Sequence, residues 1–109
     1  MGYLMHGTHE YEFDDRLLAH LKVVIGQKLR TQESCYLSWS KTPEQGSGRV
    51  SLWLSPHVAL GFRFAGSRAP ELNPVWLRVL TARSHTAQGL VVVSEEEAET
   101  FARQHPELS

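Results

Sequence analysis

Between residues 17 and 29 apolar side chains recur every three or four positions: Leu17, Leu18, Leu21, Val24, Ile25 and Leu29. That spacing predicts an amphipathic helix over about 15–31, the best-specified element of the chain. Asp14-Asp15 supplies an N-cap and acids that suit the positive end of the helix dipole. Arg16, Lys22 and Lys28 lie mostly off the apolar stripe. Gly26 interrupts the pattern at a cost of about 1 kcal/mol against Ala, which predicts a close packing contact there. Before this helix, residues 3–6 and 9–13 read as a hairpin turning at Gly7-Thr8. Tyr11 and Phe13 alternate with Glu10 and Glu12, giving one apolar and one acidic face.

After the helix the period changes to two. Residues 34–41, 48–55 and 58–65 read as three strands linked by Thr42–Gly48, which is rich in turn formers, and by the tight Ser55-Pro56-His57. Short links predict an antiparallel meander. Its core face carries Cys35, Leu37, Trp39, Val50, Leu52, Leu54, then Val58, Leu60, Phe62 and Phe64. Past a loop at Gly66–Pro70, Asn73 caps a second helix with Pro74 at its first position, and Trp76, Leu77, Val79 and Leu80 form its stripe. Leu90-Val91-Val92-Val93 reads as a short buried strand. Ser94-Glu95-Glu96-Glu97 fits a capping box opening a last helix, with Ala98, Phe101 and Ala102 on one side.

The order ββαβββαβ plus a short C-terminal helix predicts an α+β fold: residues 1–93 as one domain with a mostly antiparallel sheet and helices on one face, and 94–109 as an acidic helix or tail.

A chain of 109 residues, 41% hydrophobic and 21% charged, suits one folded domain. Cys35 is alone, which excludes a disulfide-stapled scaffold. No apolar run approaches the roughly 18–20 residues needed to cross a bilayer. Residues 1–6 lack the basic n-region of a signal peptide and have His6 where myristoylation needs Ser or Thr, so no membrane attachment and a cytoplasmic location are the expectation. The net charge of −1 conceals a pattern: residues 1–15 hold four acids and no Lys or Arg, 16–83 hold ten Lys or Arg against three Glu, and 84–109 hold Arg103 against five Glu.

No arrangement of reactive groups predicts catalysis. Ser38-Trp39-Ser40-Lys41 matches Ser-x-x-Lys, but that pair works one turn apart on a helix, whereas on a strand Ser38 and Lys41 face opposite sides. Gly46-Ser47-Gly48 has no Gly-Lys-Ser/Thr after it and reads as a flexible turn, not a phosphate loop. Cys35 sits beside core positions and reads as a small hydrophobe. His6 and His9 flank a turn and His20, His57, His85 and His105 are scattered, without zinc spacing, so they read as solvent-facing or loop residues. Glu10, Glu12, Asp14 and Asp15 are explained by a solvated strand face and a helix cap rather than a cation site. No metal and no cofactor are expected.

The meander's second face is more informative. Tyr36, Ser38, Ser40, Arg49, Ser51, Trp53 and Arg63 should share it. Trp, Tyr and Arg are the residues enriched at interface hot spots, so Tyr36, Arg49, Trp53 and Arg63 are the candidate binding residues. The bland alternative is an ordinary solvated sheet face. The expected function is a small non-enzymatic binding domain, acting by self-association or on a protein partner through this face. A second expectation, from the same guanidiniums and rings, is a nucleic-acid-binding module.

Residues 13–25 and 47–54, Pro70-Glu71-Leu72-Asn73, Trp76 and Gly89–Val93 resemble a family of short, uncharacterised actinobacterial proteins; the likeness spans about residues 1–93. That family sometimes carries an automatic label of ATP-dependent DNA ligase. Ligase catalysis needs a nucleophilic lysine in Lys-x-Asp-Gly, and Lys22, Lys28 and Lys41 all lack that setting. The resemblance implies a stand-alone small domain and no particular chemistry.

Overall fold

A computed structural model describes residues 1–41, 46 and 48–108. Most of the connection read as a turn after the first meander strand, including Ser47, therefore lies outside the described residues. Strands β1 (Gly2–His6) and β2 (His9–Phe13) form the expected hairpin. Their register pairs Leu4 with Tyr11 and Gly2 with Phe13, which gathers the apolar residues on one side. Leu4 and Phe13 are buried there. Tyr3 and Met5, opposite Glu12 and Glu10, fall on the other side because a strand alternates faces.

Helix α1 (Asp15–Arg30) begins where Asp14 accepts the N–H groups of Arg16 and Leu17, and it ends with Lys28 and Arg30 in its last turn. The cap satisfies two of the four donors a helix start leaves free. Leu18, Leu21, Val24 and Ile25 are buried, each contributing about 1.5–3 kcal/mol of hydrophobic burial.

Strands β3 (Cys35–Ser40) and β4 (Arg49–Leu54) pair antiparallel, with Tyr36 opposite Trp53 and Ser38 opposite Ser51. The meander stops there. Strand β5 (Leu60–Arg63) leaves β4 and pairs antiparallel with β1, Phe62 opposite Leu4 and Gly61 opposite Met5. The expected single sheet is thus two three-stranded sheets, ordered β2-β1-β5 and β4-β3-β6. Adjacency in sequence favours pairing only as a tendency, and here the open edge of β1 offers β5 an apolar partner row. Gly61 lies beneath the Met5 side chain in that register: a Cβ in its place would come within 2.8 Å of Met5 Cε, the end of a flexible chain that would have to swing aside.

Helix α2 (Pro74–Arg83) has its cap as read, with Asn73 Oδ1 accepting from Val75 and Trp76. Strand β6 (Leu90–Val91) is only two residues long and runs parallel to β3. Helix α3 (Glu95–Gln104) opens on the complete Ser94–Glu97 capping box and is followed by a 3-10 turn, Pro106–Leu108. It does not hang free: Ala98 and Ala102 are buried and the helix packs against α2. Trp39 joins the two sheets, its ring edge-on to Phe13 at 4.9 Å and to Tyr11 at 5.5 Å. The fold is α+β, with mostly antiparallel pairing.

Candidate interaction face

The outer face of the β4-β3-β6 sheet is built by alternation. Cys35, Leu37 and Trp39 turn inward with Leu54, Leu52 and Val50, so Tyr36, Ser38 and Ser40 turn outward with Trp53, Ser51 and Arg49. Tyr36 and Trp53 are directly opposite, their ring centroids 5.1 Å apart in an edge-to-face contact. Edge-to-face is the favoured geometry for such a pair. They stay 47% and 48% exposed, large apolar surface that a lone chain leaves in water. Beside them the hydroxyls of Ser38 and Ser51 bond each other at 2.9 Å, so covering these two groups sacrifices little hydrogen bonding.

The face is a broad open groove of about 940 Å³ that extends past Ser38 to Gln88 and Val91. The parallel pairing of Ser38 with Val91 brings β6 into it. Sequence reading missed this side, because four consecutive apolar residues carry no alternation from which an outward position could be told.

Arg49 stands opposite Ser40 at the far end of the face and enters no ion pair among the described residues. Arg63 is not on this face, and that expectation is corrected. With β5 in the other sheet, Arg63 stacks over Tyr3 at 4.7 Å and its Nη2 donates to Glu10 Oε2 at 3.4 Å. Three of the four candidate residues therefore share a surface, and the fourth is occupied by the acidic face of the hairpin.

The remaining chemistry-bearing residues have structural partners. His20 corrects its reading as solvent-facing. It is fully buried between α1 and Asn73, with Nδ1–H donating to the Arg16 carbonyl at 2.7 Å and Nε2 accepting the Asn73 N–H at 2.8 Å. Those partners fix the neutral tautomer, and the ring lies 4.3 Å from Trp76. His6 Nε2–H donates to the Trp53 carbonyl at 2.7 Å, which ties β1 to the edge of β4. Burial pushes the Cys35 thiol above its ordinary pKa, with nearby Lys28 opposing more weakly, so the reactive thiolate is disfavoured. Among the described residues no three His, Cys, Asp or Glu side chains converge as a metal site would require. No helix is long and apolar enough to cross a membrane among those residues.

Gly26 also departs from expectation. A Cβ there would meet nothing within 4 Å, so no packing contact demands the glycine.

A family model described as "Domain of unknown function (DUF7882)" matches residues 1–95, ending at the first residue of α3. No curated protein and no solved structure matches the chain.

Proposed function

We propose that this chain, which belongs to the DUF7882 domain family, is a non-enzymatic binding module that docks a protein surface, in the first instance a second copy of itself, through the outer face of β3 and β4. The observation that carries the reading is the exposed Tyr36–Trp53 pair, set on a rigid two-stranded ladder beside hydroxyls that already satisfy each other. Aromatic anchors of this kind dominate interface energetics, and Arg49 at the rim supplies a guanidinium for a partner carboxylate. Docking through the face rather than along the strand edge is favoured because His6 already occupies an outward carbonyl of β4, that of Trp53.

The same face is a poor fit for nucleic acid. With Arg63 paired to Glu10 in the other sheet, Arg49 is the only cation among the four candidate residues left on it. Phosphate recognition depends on several cations acting together.

Light scattering of the purified protein tests it. The wild type is expected to run as a dimer or to retain a protein partner in pull-downs, and Trp53→Ala to lose that association while keeping its circular dichroism. A strictly monomeric wild type whose pull-downs are indifferent to Trp53→Ala overturns the proposal.

A further inference from the structure

A second groove, about 810 Å³, lies away from the aromatic face, between α1 and β5. One wall is Leu60, Phe62 and Phe64; the other is Ala19, Val23 and Gly26. The segment after β5 closes it, and that segment is pinned at both ends. Asp15 accepts the N–H groups of Ala65 and Gly66 at 3.2 and 2.9 Å, and Arg16 Nη1–H donates to the Glu71 carbonyl. The groove is therefore pre-formed, as small-molecule sites usually are.

Two independent features say what it takes. The first is charge. Lys22, Arg30 and Arg68 line the groove with no carboxylate among the lining residues, and none of the three enters an ion pair among the described residues. Lys22 Nζ lies 5.8 Å over the Phe64 ring. Asp15, which holds the Gly66 end of the groove, is committed to its two backbone donors. The second is Gly26. Glycine is among the least favourable residues in a helix interior, and here neither packing nor backbone conformation calls for it. What it does is leave α1 notched by one side chain along the apolar floor. The open space over Gly26 on an apolar floor suits an alkyl chain.

We infer that this groove binds an amphipathic carboxylate, its alkyl chain lying between Gly26 and Phe62 and its head group meeting the cationic rim. The site is separate from the aromatic face and does not rest on the function proposed for it. Calorimetric titration with dodecanoate below its micelle concentration tests it, with dodecyltrimethylammonium as the same tail carrying the opposite charge. Dodecanoate is expected to bind, at least about tenfold tighter than the ammonium. From octanoate to dodecanoate, affinity should rise about twofold to fourfold per methylene, as burial of CH₂ groups requires. Gly26→Leu should abolish binding and Gly26→Ala weaken it, both with unchanged circular dichroism. Arg68→Ser should weaken it while leaving the chain-length dependence intact, and Trp53→Ala should bind as wild type. Equal affinity for the two head groups, binding that survives Gly26→Leu, or capture of an acidic amphipathic peptide without any dodecanoate binding each overturns the inference.

Discussion

At the scale of single residues, His20 and two glycines show how burial and space decide what a side chain is for. His20 is the one histidine held at both ring nitrogens by described partners, and both are backbone groups: the Arg16 carbonyl and the Asn73 N–H, which pairs with Nε2. His20→Leu keeps the volume but leaves the Asn73 N–H unpaired beside Trp76. Urea denaturation should show a loss of about 1–3 kcal/mol, and a loss below about 0.5 kcal/mol would mean water reaches the site. Gly89 and Gly26 should respond to alanine with opposite signs. Gly89 sits at φ +77° with its Cβ position against the Tyr36 backbone, the carbonyl and, at 2.9 Å, the nitrogen. Gly89→Ala should cost at least about 2 kcal/mol, because both the backbone conformation and the approach of β6 to β3 forbid the methyl group. Gly26→Ala should stabilise by about 0.5–1 kcal/mol, since it restores helix propensity into open space. Thermal melts of the two variants read both signs directly.

Among the elements, α3 is held by chemistry that titrates. Arg16 donates through Nε and Nη2 to both oxygens of Glu95, at 3.1 and 2.7 Å, and Asn73 Nδ2 adds a third bond at 2.7 Å. These bonds, the Arg16 guanidinium first, bring the Glu95 pKa down to about 2. Because the folded state favours the charged form, the contribution is complete above the unfolded value of 4.5 and disappears as pH falls toward 2. The difference in melting temperature between wild type and Glu95→Gln should therefore be constant at neutral pH and vanish across that window. A difference that persists at pH 2 would place the docking of α3 in its apolar contacts alone. Much of this architecture was legible. Asp14, Asn73 and Ser94 announce three helix starts through side chains that satisfy backbone donors locally, so no tertiary information is needed to read them. Strand pairing is different in kind. Nothing between Leu54 and Leu60 states that β5 will choose β1 over β4; the pairing sets Gly61 opposite Met5 and Phe62 opposite Leu4, residues more than 50 positions apart. That one non-local choice carried Arg63 off the candidate face, while Tyr36 and Trp53, joined by a local hairpin, came together as the alternation required. The groove beside α1 was hidden for the same reason, since its two walls meet only after β5 has crossed to the other sheet.

Across the whole molecule, the net charge of −1 is the sum of acidic ends and a basic middle, and the fold joins them. Glu10 of the acidic hairpin meets Arg63, and Glu95 at the start of the acidic C-terminal segment meets Arg16. Lys28 is held by Glu33 at 3.8 Å. Lys22, Arg30 and Arg68, which enter no ion pair among the described residues, line the α1–β5 groove, and Arg49 lies on the Tyr36–Trp53 face. The groove lined by three cations and the face carrying the exposed aromatic pair are built from different residues, and salt separates the two kinds of association. Docking through Tyr36 and Trp53 buries apolar area, which salt does not screen, so the self-association constant from sedimentation should change by less than about twofold between 50 and 500 mM NaCl. A complex held by phosphate contacts would instead weaken steeply over the same range, and an oligonucleotide should show no mobility shift at about 50 mM salt. If self-association collapses as salt rises, the partner is being held by Arg49, and the aromatic pair is not the anchor.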